Sequence, residues 1–385
     1  MRPITIDVPQ ARLDAIRARI KEYEWHEMPR GAQGDQSLDG TWAYGANLDF
    51  LRALCVYWAD EYDWRKWEAE LNRFAQFIAD ADGLDIHFYH EVGSGPSPKP
   101  LILSHGWPGS VFEFLHIIDK LAHPENHGGD VKDAFTVVVP SLPGYGWSGK
   151  PKRPIGPRTT ARHFDALMTK VLNLPGYIAQ GGDWGSAVSG WMAYDSAACR
   201  GAHLNMFGWR SPGVHPQSDA EKQYAAQAAA LFQAEGAYFQ EQMTKPQTLS
   251  YAMMDSPVGA CAWIVEKFHG WSDTRKGFEA VYSKDQLLTN VMIYLVTRTF
   301  NTATWMYRGL FEDFAGAPVP ENARIEKPVA IANFPVDLIP WPPRSMVERH
   351  VNVTQWTDFT EGGHFAALER PDDLVADIRK FARTL

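Results

Sequence analysis

The chain has 385 residues, 45% of them hydrophobic and 22% charged, with a formal net charge of −9. This composition provides for a large packed core, and the acidic balance excludes the basic stripe that a nucleic-acid partner needs. No apolar run reaches the roughly 18 residues of a membrane span, and Met1-Arg2-Pro3-Ile4 lacks the apolar stretch of a secretory leader.

In chain order, Leu13, Ile16 and Ile20 follow Pro9 at the spacing of one helical face. A second helix is expected through Phe50, Leu54, Tyr57 and Trp58, and a third through Trp67, Leu71, Phe74 and Phe77. Near Gly83 the period changes, and Leu84, Ile86 and Phe88 alternate as in a half-buried strand. From Pro100 to about Phe207 strands and helices alternate. Leu101–Ser104 and Phe135–Val139 are short apolar runs that suit parallel strands covered on both faces. Gly176–Gln180 and Ala202–Phe207 fit as two further strands, with a helix from Gly185 between them. Residues 213–325 break the rhythm and read as helical, rich in Ala, Gln, Met and aromatics. Strand patterns return at Val329–Phe334 and Val351–Trp356. The expected division is an N-terminal helical meander over 1–90, a core over 91–212, a helical lid over 213–325 and the rest of the core over 326–385. The lid would cover the carboxyl ends of a mostly parallel sheet, where open α/β sheets place their sites.

Cys55, Cys199 and Cys261 are odd in number, far apart and without metal spacing. They are expected to be buried thiols in a reducing, cytoplasmic setting. Of the fifteen tryptophans, most are expected in the core and some around an apolar pocket. The histidines show no metal-ligand pattern, so no metal is expected. Gly144–Gly149 matches a dinucleotide fingerprint, but Pro143, Pro151 and Pro154 leave no place for the helix such a motif must open. It is read as a loop shaping the site floor.

The chemistry concentrates in Gly181-Gly182-Asp183-Trp184-Gly185, which follows a strand and opens a helix. This is the spacing of the nucleophile elbow of α/β-hydrolases, with Asp where Ser is usual. A Ser attacking a saturated carbon would be left as an ether, which water does not readily cleave. A carboxylate is left as an ester, whose carbonyl water can attack. Asp183 is therefore a candidate nucleophile for displacement at carbon, although an Asp here could also serve merely as a helix cap. In this fold the acid and the histidine follow in chain order. His364, in Glu361-Gly362-Gly363-His364-Phe365 after the last strand, is the candidate base. Asp337 follows the preceding strand and is the candidate acid that orients it, ahead of Asp358, Glu361 and Glu348. The loop His105-Gly106-Trp107-Pro108-Gly109 lies where the fold draws an oxyanion-hole amide, so the N–H groups of Trp107 and Trp184 are the expected pair. His105 is read as a residue that fixes this loop.

These motifs, with Tyr62-Asp63-Trp64-Arg65, Asp82–Phe88, Asp255–Gly259, Glu266-Lys267-Phe268 and Gly362–Ala367, resemble the microsomal-type and juvenile-hormone-type epoxide hydrolases over nearly the whole length. The resemblance implies an α/β-hydrolase fold and a cofactor-free enzyme acting on a small-molecule epoxide and water. It also implies two lid tyrosines that donate to the epoxide oxygen, and Tyr238 and Tyr307 match those positions. Where some relatives carry Glu as the triad acid, this chain has Asp337, one methylene shorter. Membrane-bound relatives carry an anchor helix, whereas this chain begins directly with the family's soluble part, so no anchor is expected; a homo-oligomer is compatible with the sequence. The alternatives are a haloalkane dehalogenase sharing the Asp elbow, with Trp184 as a halide donor, and a ligand-binding protein without catalysis.

Overall fold

Continuous apolar strands need cover on both faces, and the chain supplies it with helices on each side of one nine-stranded sheet. The computed structural model describes residues 1–29, 41–316 and 318–385. Elements in chain order are β1 (Arg2–Ile4), α1 (Gln10–Lys21), α2 (Leu48–Asp60), α3 (Trp64–Leu71), β2 (Gln76–Asp80), β3 (Asp85–Glu91), β4 (Lys99–Ser104), α4 (Leu115–Ala122), β5 (Phe135–Pro140), α5 (Pro157–Ala166), β6 (Tyr177–Gly181), α6 (Asp183–Asp195) and β7 (Cys199–Leu204). The insertion holds α7 (Asp219–Glu235), α8 (Ala237–Thr244), α9 (Pro246–Asp255), α10 (Pro257–Trp271), α11 (Phe278–Val281), α12 (Lys284–Thr297) and α13 (Phe300–Gly316). The chain closes with β8 (Ile325–Asn333), α14 (Arg344–His350), β9 (Val351–Asp358), α15 (Ala366–Glu369) and α16 (Pro371–Ala382).

The sheet order is β1-β2-β3-β5-β4-β6-β7-β8-β9. The strands β1, β2, β3 and β5 pair antiparallel, and all pairs from β5 to β9 are parallel. Leu101, Ile102 and Leu103 of β4 and Val137, Val138 and Val139 of β5 are fully buried, as two-sided cover requires. No helix among the described residues is long and apolar enough to cross a membrane.

Two sequence expectations need correction. The third helix stops at Leu71, and Phe77 belongs to β2. Asn72 ends the helix and exchanges two 2.8 Å hydrogen bonds with the Ile6 backbone. The hairpin of β2 with β3 then captures the Phe77 segment. The strand placed at Ala202–Phe207 spans Cys199–Leu204 instead, because its partner β6 ends at Gly181, opposite Leu204.

Candidate active site

The loops after β4, β6, β8 and β9 all leave the sheet at its carboxyl edge, and each brings one part of the site. Asp183 sits where β6 turns into α6, with φ 48°. A left-handed backbone costs a non-glycine residue of order 1–3 kcal/mol and persists where the surroundings enforce it. Here close packing does so. A Cβ at Gly185 would collide with the Ser104 carbonyl, and one at Gly181 with the backbone of Gly185. The glycines thus let α6 press against β4, and the Asp183 side chain points out at the top of the sheet. Ser104 pairs with Gly181 in register, which sets the next loop, His105–Gly109, beside the elbow. A Cβ at Gly106 would fall on the Asp183 carboxylate.

The Trp107 backbone amide donates to Asp183 Oδ1 at 2.7 Å. The Trp184 amide lies in the first turn of α6, where an N–H has no partner within the helix. Asp183 Oδ2 stands 3.5 Å from His364 Nε2. On the other side of the ring, Nδ1 meets Asp337 Oδ1 at 2.6 Å, and that oxygen also accepts from the Leu338 amide at 2.6 Å. Asp337, His364 and Asp183 therefore form one line. The competing acids lie elsewhere: Asp358 accepts from Asn333 and Trp356, Glu361 pairs with Lys276 and Arg370, and Glu348 pairs with Arg344. Burial alone would push the His364 imidazole down, but the Asp337 and Asp183 carboxylates more than offset it and lift its pKa well above the ordinary value. The resting ring is thus favoured in its imidazolium form.

His364 is held by its backbone as well. Its N–H donates to the Trp271 carbonyl at 3.0 Å, and the Gly362 amide donates to Asp273 at 3.0 Å. Gly362 has φ 99°, a left-handed conformation that glycine adopts without penalty. Glu369 accepts from Phe365 and Asp273 amides at 3.0 and 2.8 Å. The loop carrying the base is thereby tied to the end of α10 in the lid, a link that the sequence did not reveal. His105 fixes the Trp107 loop: its ring contacts the Gly106 carbonyl at 3.0 Å and accepts from the Leu142 amide at 3.1 Å. Burial lowers its pKa to about 4, so it is neutral.

Above Asp183 lies an aromatic ceiling. The ring of Trp107 stacks on Tyr238 at 5.3 Å between centroids, and Tyr307 stands edge-on to Trp184 at 4.8 Å. Tyr238 and Tyr307 are both buried. Burial raises both phenols well above their ordinary pKa, so they hold their protons. The Tyr307 hydroxyl makes no hydrogen bond within the protein by distance and angle. Lys267 Nζ lies 4.6 Å over the Tyr238 ring. Among the described residues no group of three or more His, Cys, Asp or Glu is placed to hold a metal. The arrangement brings together a carboxylate, a backbone amide bonded to it, an oriented imidazole and two protonated phenols.

Residues 1–114 match the family described as epoxide hydrolase N terminus, and residues 99–245 match the alpha/beta hydrolase fold. The chain is 32% identical to epoxide hydrolase 1 of Sus scrofa, across 99% of its own length and 88% of that protein. The structure superposes on the epoxide hydrolase of Aspergillus niger with a TM-score of 0.85 and 33% identity, covering 100% of this chain and 96% of that one. Against juvenile hormone epoxide hydrolase from the silkworm Bombyx mori the TM-score is 0.86 at 27% identity, covering 100% and 94%.

Proposed function

Because this chain belongs to the epoxide hydrolase family, and is an epoxide hydrolase with the α/β-hydrolase fold, we propose that it converts an apolar or aromatic epoxide into a vicinal diol through an ester on Asp183. One observation carries this reading: a single carboxylate has one oxygen on the Trp107 amide and the other facing the His364–Asp337 pair.

The two oxygens of Asp183 have different tasks. Oδ1, held by Trp107, becomes the ester carbonyl and later the oxyanion. Oδ2 attacks the epoxide carbon, and the C–O bond of the ring breaks as the new one forms. The departing alkoxide takes a proton from Tyr238 or Tyr307, and the His364 imidazolium restores that phenol. Esterification thus removes one of the two charges that hold His364 protonated and leaves the ring neutral at the moment a base is needed. His364 Nε2 then takes a proton from water, whose oxygen bonds to the Asp183 carbonyl carbon. The Trp107 and Trp184 amides stabilise the oxyanion. The ester bond breaks, the alkoxide leaves as diol with a water-derived proton, and the second proton rests on His364, so the starting charges return. No cofactor enters this cycle.

The aromatic ceiling supports an apolar or aromatic substrate. Three buried free thiols support a reducing, cytoplasmic setting. The four-part division at residues 90, 212 and 325 is proposed for the chain's organisation. In a single turnover in 18O-labelled water, unlabelled diol with the label in Asp183 is the expected outcome; labelled diol at once would mean direct hydration. Chloride release from haloalkanes, with no diol from styrene oxide, would instead favour a dehalogenase, and tight epoxide binding without turnover a non-catalytic protein.

A further inference from the structure

The lid helix α12 binds three consecutive residues of the loop that carries the Trp107 amide. Asn290 Nδ2 donates to the Pro108 carbonyl at 2.7 Å, and the Tyr294 hydroxyl donates to the Gly109 carbonyl at 2.6 Å. The Ser110 hydroxyl donates to Asn290 Oδ1 at 2.8 Å. Asn290 and Tyr294 stand four residues apart in α12 and so share one face of it. Both are buried, and burial holds the Tyr294 phenol protonated, as a donor. The neighbouring row of the helix faces the N-terminal meander. There Asp285 accepts from the Tyr57 hydroxyl at 2.7 Å and the Trp67 indole at 3.0 Å, and Thr289 bonds the Tyr62 hydroxyl at 2.9 Å. Helix α12 is thus braced on the meander and grips the loop. Pro108 and Gly109 are buried, so their carbonyls need partners. What is particular is the source: the loop leaves a core strand, whereas its partners come from the lid, 182 and 185 residues further along the chain. The proline ring fixes φ at Pro108, so directing its carbonyl leaves Trp107 few ways to turn. On the other side of Trp107, His105 holds the Gly106 carbonyl at 3.0 Å. The cycle above needs the Trp107 amide in place and has no part for α12.

We propose that Asn290 and Tyr294 are positioning residues, which hold the Trp107 amide where the oxyanion of the Asp183 ester forms, so that the lid completes the site for hydrolysis. Neither residue touches the reacting atoms; both act through the loop backbone. The amide bonds Asp183 Oδ1 at 2.7 Å, and that oxygen gains charge only when water attacks the ester. In the first half-reaction Oδ2 attacks and the carboxylate loses its charge, so a loosened amide matters less there. A hydrogen-bond donor stabilises an oxyanion only when it is already aimed at that oxygen, and α12 supplies the aim. No proton passes through Asn290 or Tyr294, and the bonds made and broken are those already written. This inference rests on the proposed covalent route.

The test uses styrene oxide and separates the half-reactions by stopped-flow Trp fluorescence, with the ester on Asp183 quantified by mass spectrometry. Tyr294→Phe removes one hydroxyl and keeps the ring, and Asn290→Leu removes two of the three hydrogen bonds. Loss of an oxyanion donor costs on the order of 10²–10³-fold, and a shift of about 1 Å roughly 10²-fold. Hydrolysis is therefore expected to slow by about tenfold in Tyr294→Phe and roughly 10²-fold in Asn290→Leu. Ester formation, which also reports a folded site, should stay within about threefold of the unmodified enzyme in Tyr294→Phe. A second readout is the infrared carbonyl stretch of the ester, accumulated in a His364→Gln background on 13C-labelled aspartate. A hydrogen bond weakens the C=O bond, so adding Tyr294→Phe should move the band to higher frequency. Hydrolysis slowed less than about threefold in Tyr294→Phe, both half-reactions slowed equally as from a merely structural residue, or an unmoved band would each overturn the assignment. His364→Gln alone accumulating no ester would sink the covalent route itself, an outcome distinct from these.

Discussion

Asp337→Asn isolates the role of the acid. His364 has one strong side-chain partner, the 2.6 Å contact from Nδ1 to Asp337, and its Nε2 makes no well-formed hydrogen bond to the protein. The tautomer of the ring therefore rests on that single contact. A carboxylate can only accept, so it keeps the proton on Nδ1 and leaves Nε2 able to take a proton from water. An amide can present its NH2 group instead, which moves the ring proton to Nε2, the wrong nitrogen. The same exchange costs about 10⁴ in a Ser-His-Asp triad, and general base catalysis as a whole supplies about 10²–10⁴. Hydrolysis of the ester should thus fall by on the order of 10³–10⁴. Attack by Asp183 needs no base, so ester formation should change by less than about tenfold. Trp107 and Trp184 flank Asp183, and their fluorescence should fall in a fast phase and recover in a slow one. In the variant the fast phase stays, the recovery nearly vanishes, and intact mass shows one bound substrate. Equal slowing of both phases, or a kcat near that of the unmodified enzyme, would refute the assignment of Asp337.

Tyr238→Phe and Tyr307→Phe should each slow ester formation by roughly 10²-fold while ester hydrolysis is unchanged; a pre-steady-state trace with a normal fast phase would remove the tyrosine from the alkoxide. Gly185→Ala drives a methyl group into the Ser104 backbone and should cost up to about 3 kcal/mol, read as a lower urea midpoint; an unchanged midpoint would mean that the elbow is not tightly packed. Glu113→Gln should change how stability depends on pH. In the folded chain Glu113 titrates at about 8, against 4.5 when unperturbed. The unfolded chain therefore releases this proton first, and wild-type stability is progressively lost as pH rises through that window. Each pH unit there is worth about 1.4 kcal/mol. The variant should gain about 3 kcal/mol on the wild type between pH 5 and pH 7.5, measured by urea unfolding at both; a constant difference would show Glu113 to be ionised in the fold.

The parts of the site that were legible in the sequence are those fixed by local geometry. Gly181–Gly185 gives the elbow because small residues are the only ones that fit between α6 and β4. Asp337 and His364 could be placed because each follows a strand, and the side chains meet at 2.6 Å. Tyr238 and Tyr307 came from family resemblance alone. Nothing in the spacing of α8 and α13 tells a packing tyrosine from one above a nucleophile. The false extension of α3 through Phe77 arose because Leu71, Phe74 and Phe77 repeat every three residues, while hairpin pairing with β3 decided the segment. Glu113, a buried acid inside the otherwise apolar Val111–Phe114 turn, was not singled out from the sequence. The ties of Asp273 and Glu369 had no local signal, since their partners lie 89 and 96 residues apart along the chain.

Those ties bear on how the lid and the base cooperate. The end of α10 accepts the His364 N–H through Trp271 O and the Gly362 N–H through Asp273. The same helix carries Lys267, over the ring of Tyr238. One lid element therefore touches both halves of the proposed chemistry, the phenol proposed to protonate the alkoxide and the loop that presents the imidazole. A shift of α10 could not move the tyrosine environment without also moving the 3.5 Å gap between His364 and Asp183. That gap suits the proposed order of events. It is close enough for the two charges to hold each other before the epoxide arrives, yet too long for a strong hydrogen bond that would oppose the turn of the carboxylate towards carbon. The strained φ of 48° at Asp183 works in the same direction. It fixes the backbone while leaving the side chain to exchange one partner, the imidazolium, for another, the epoxide carbon.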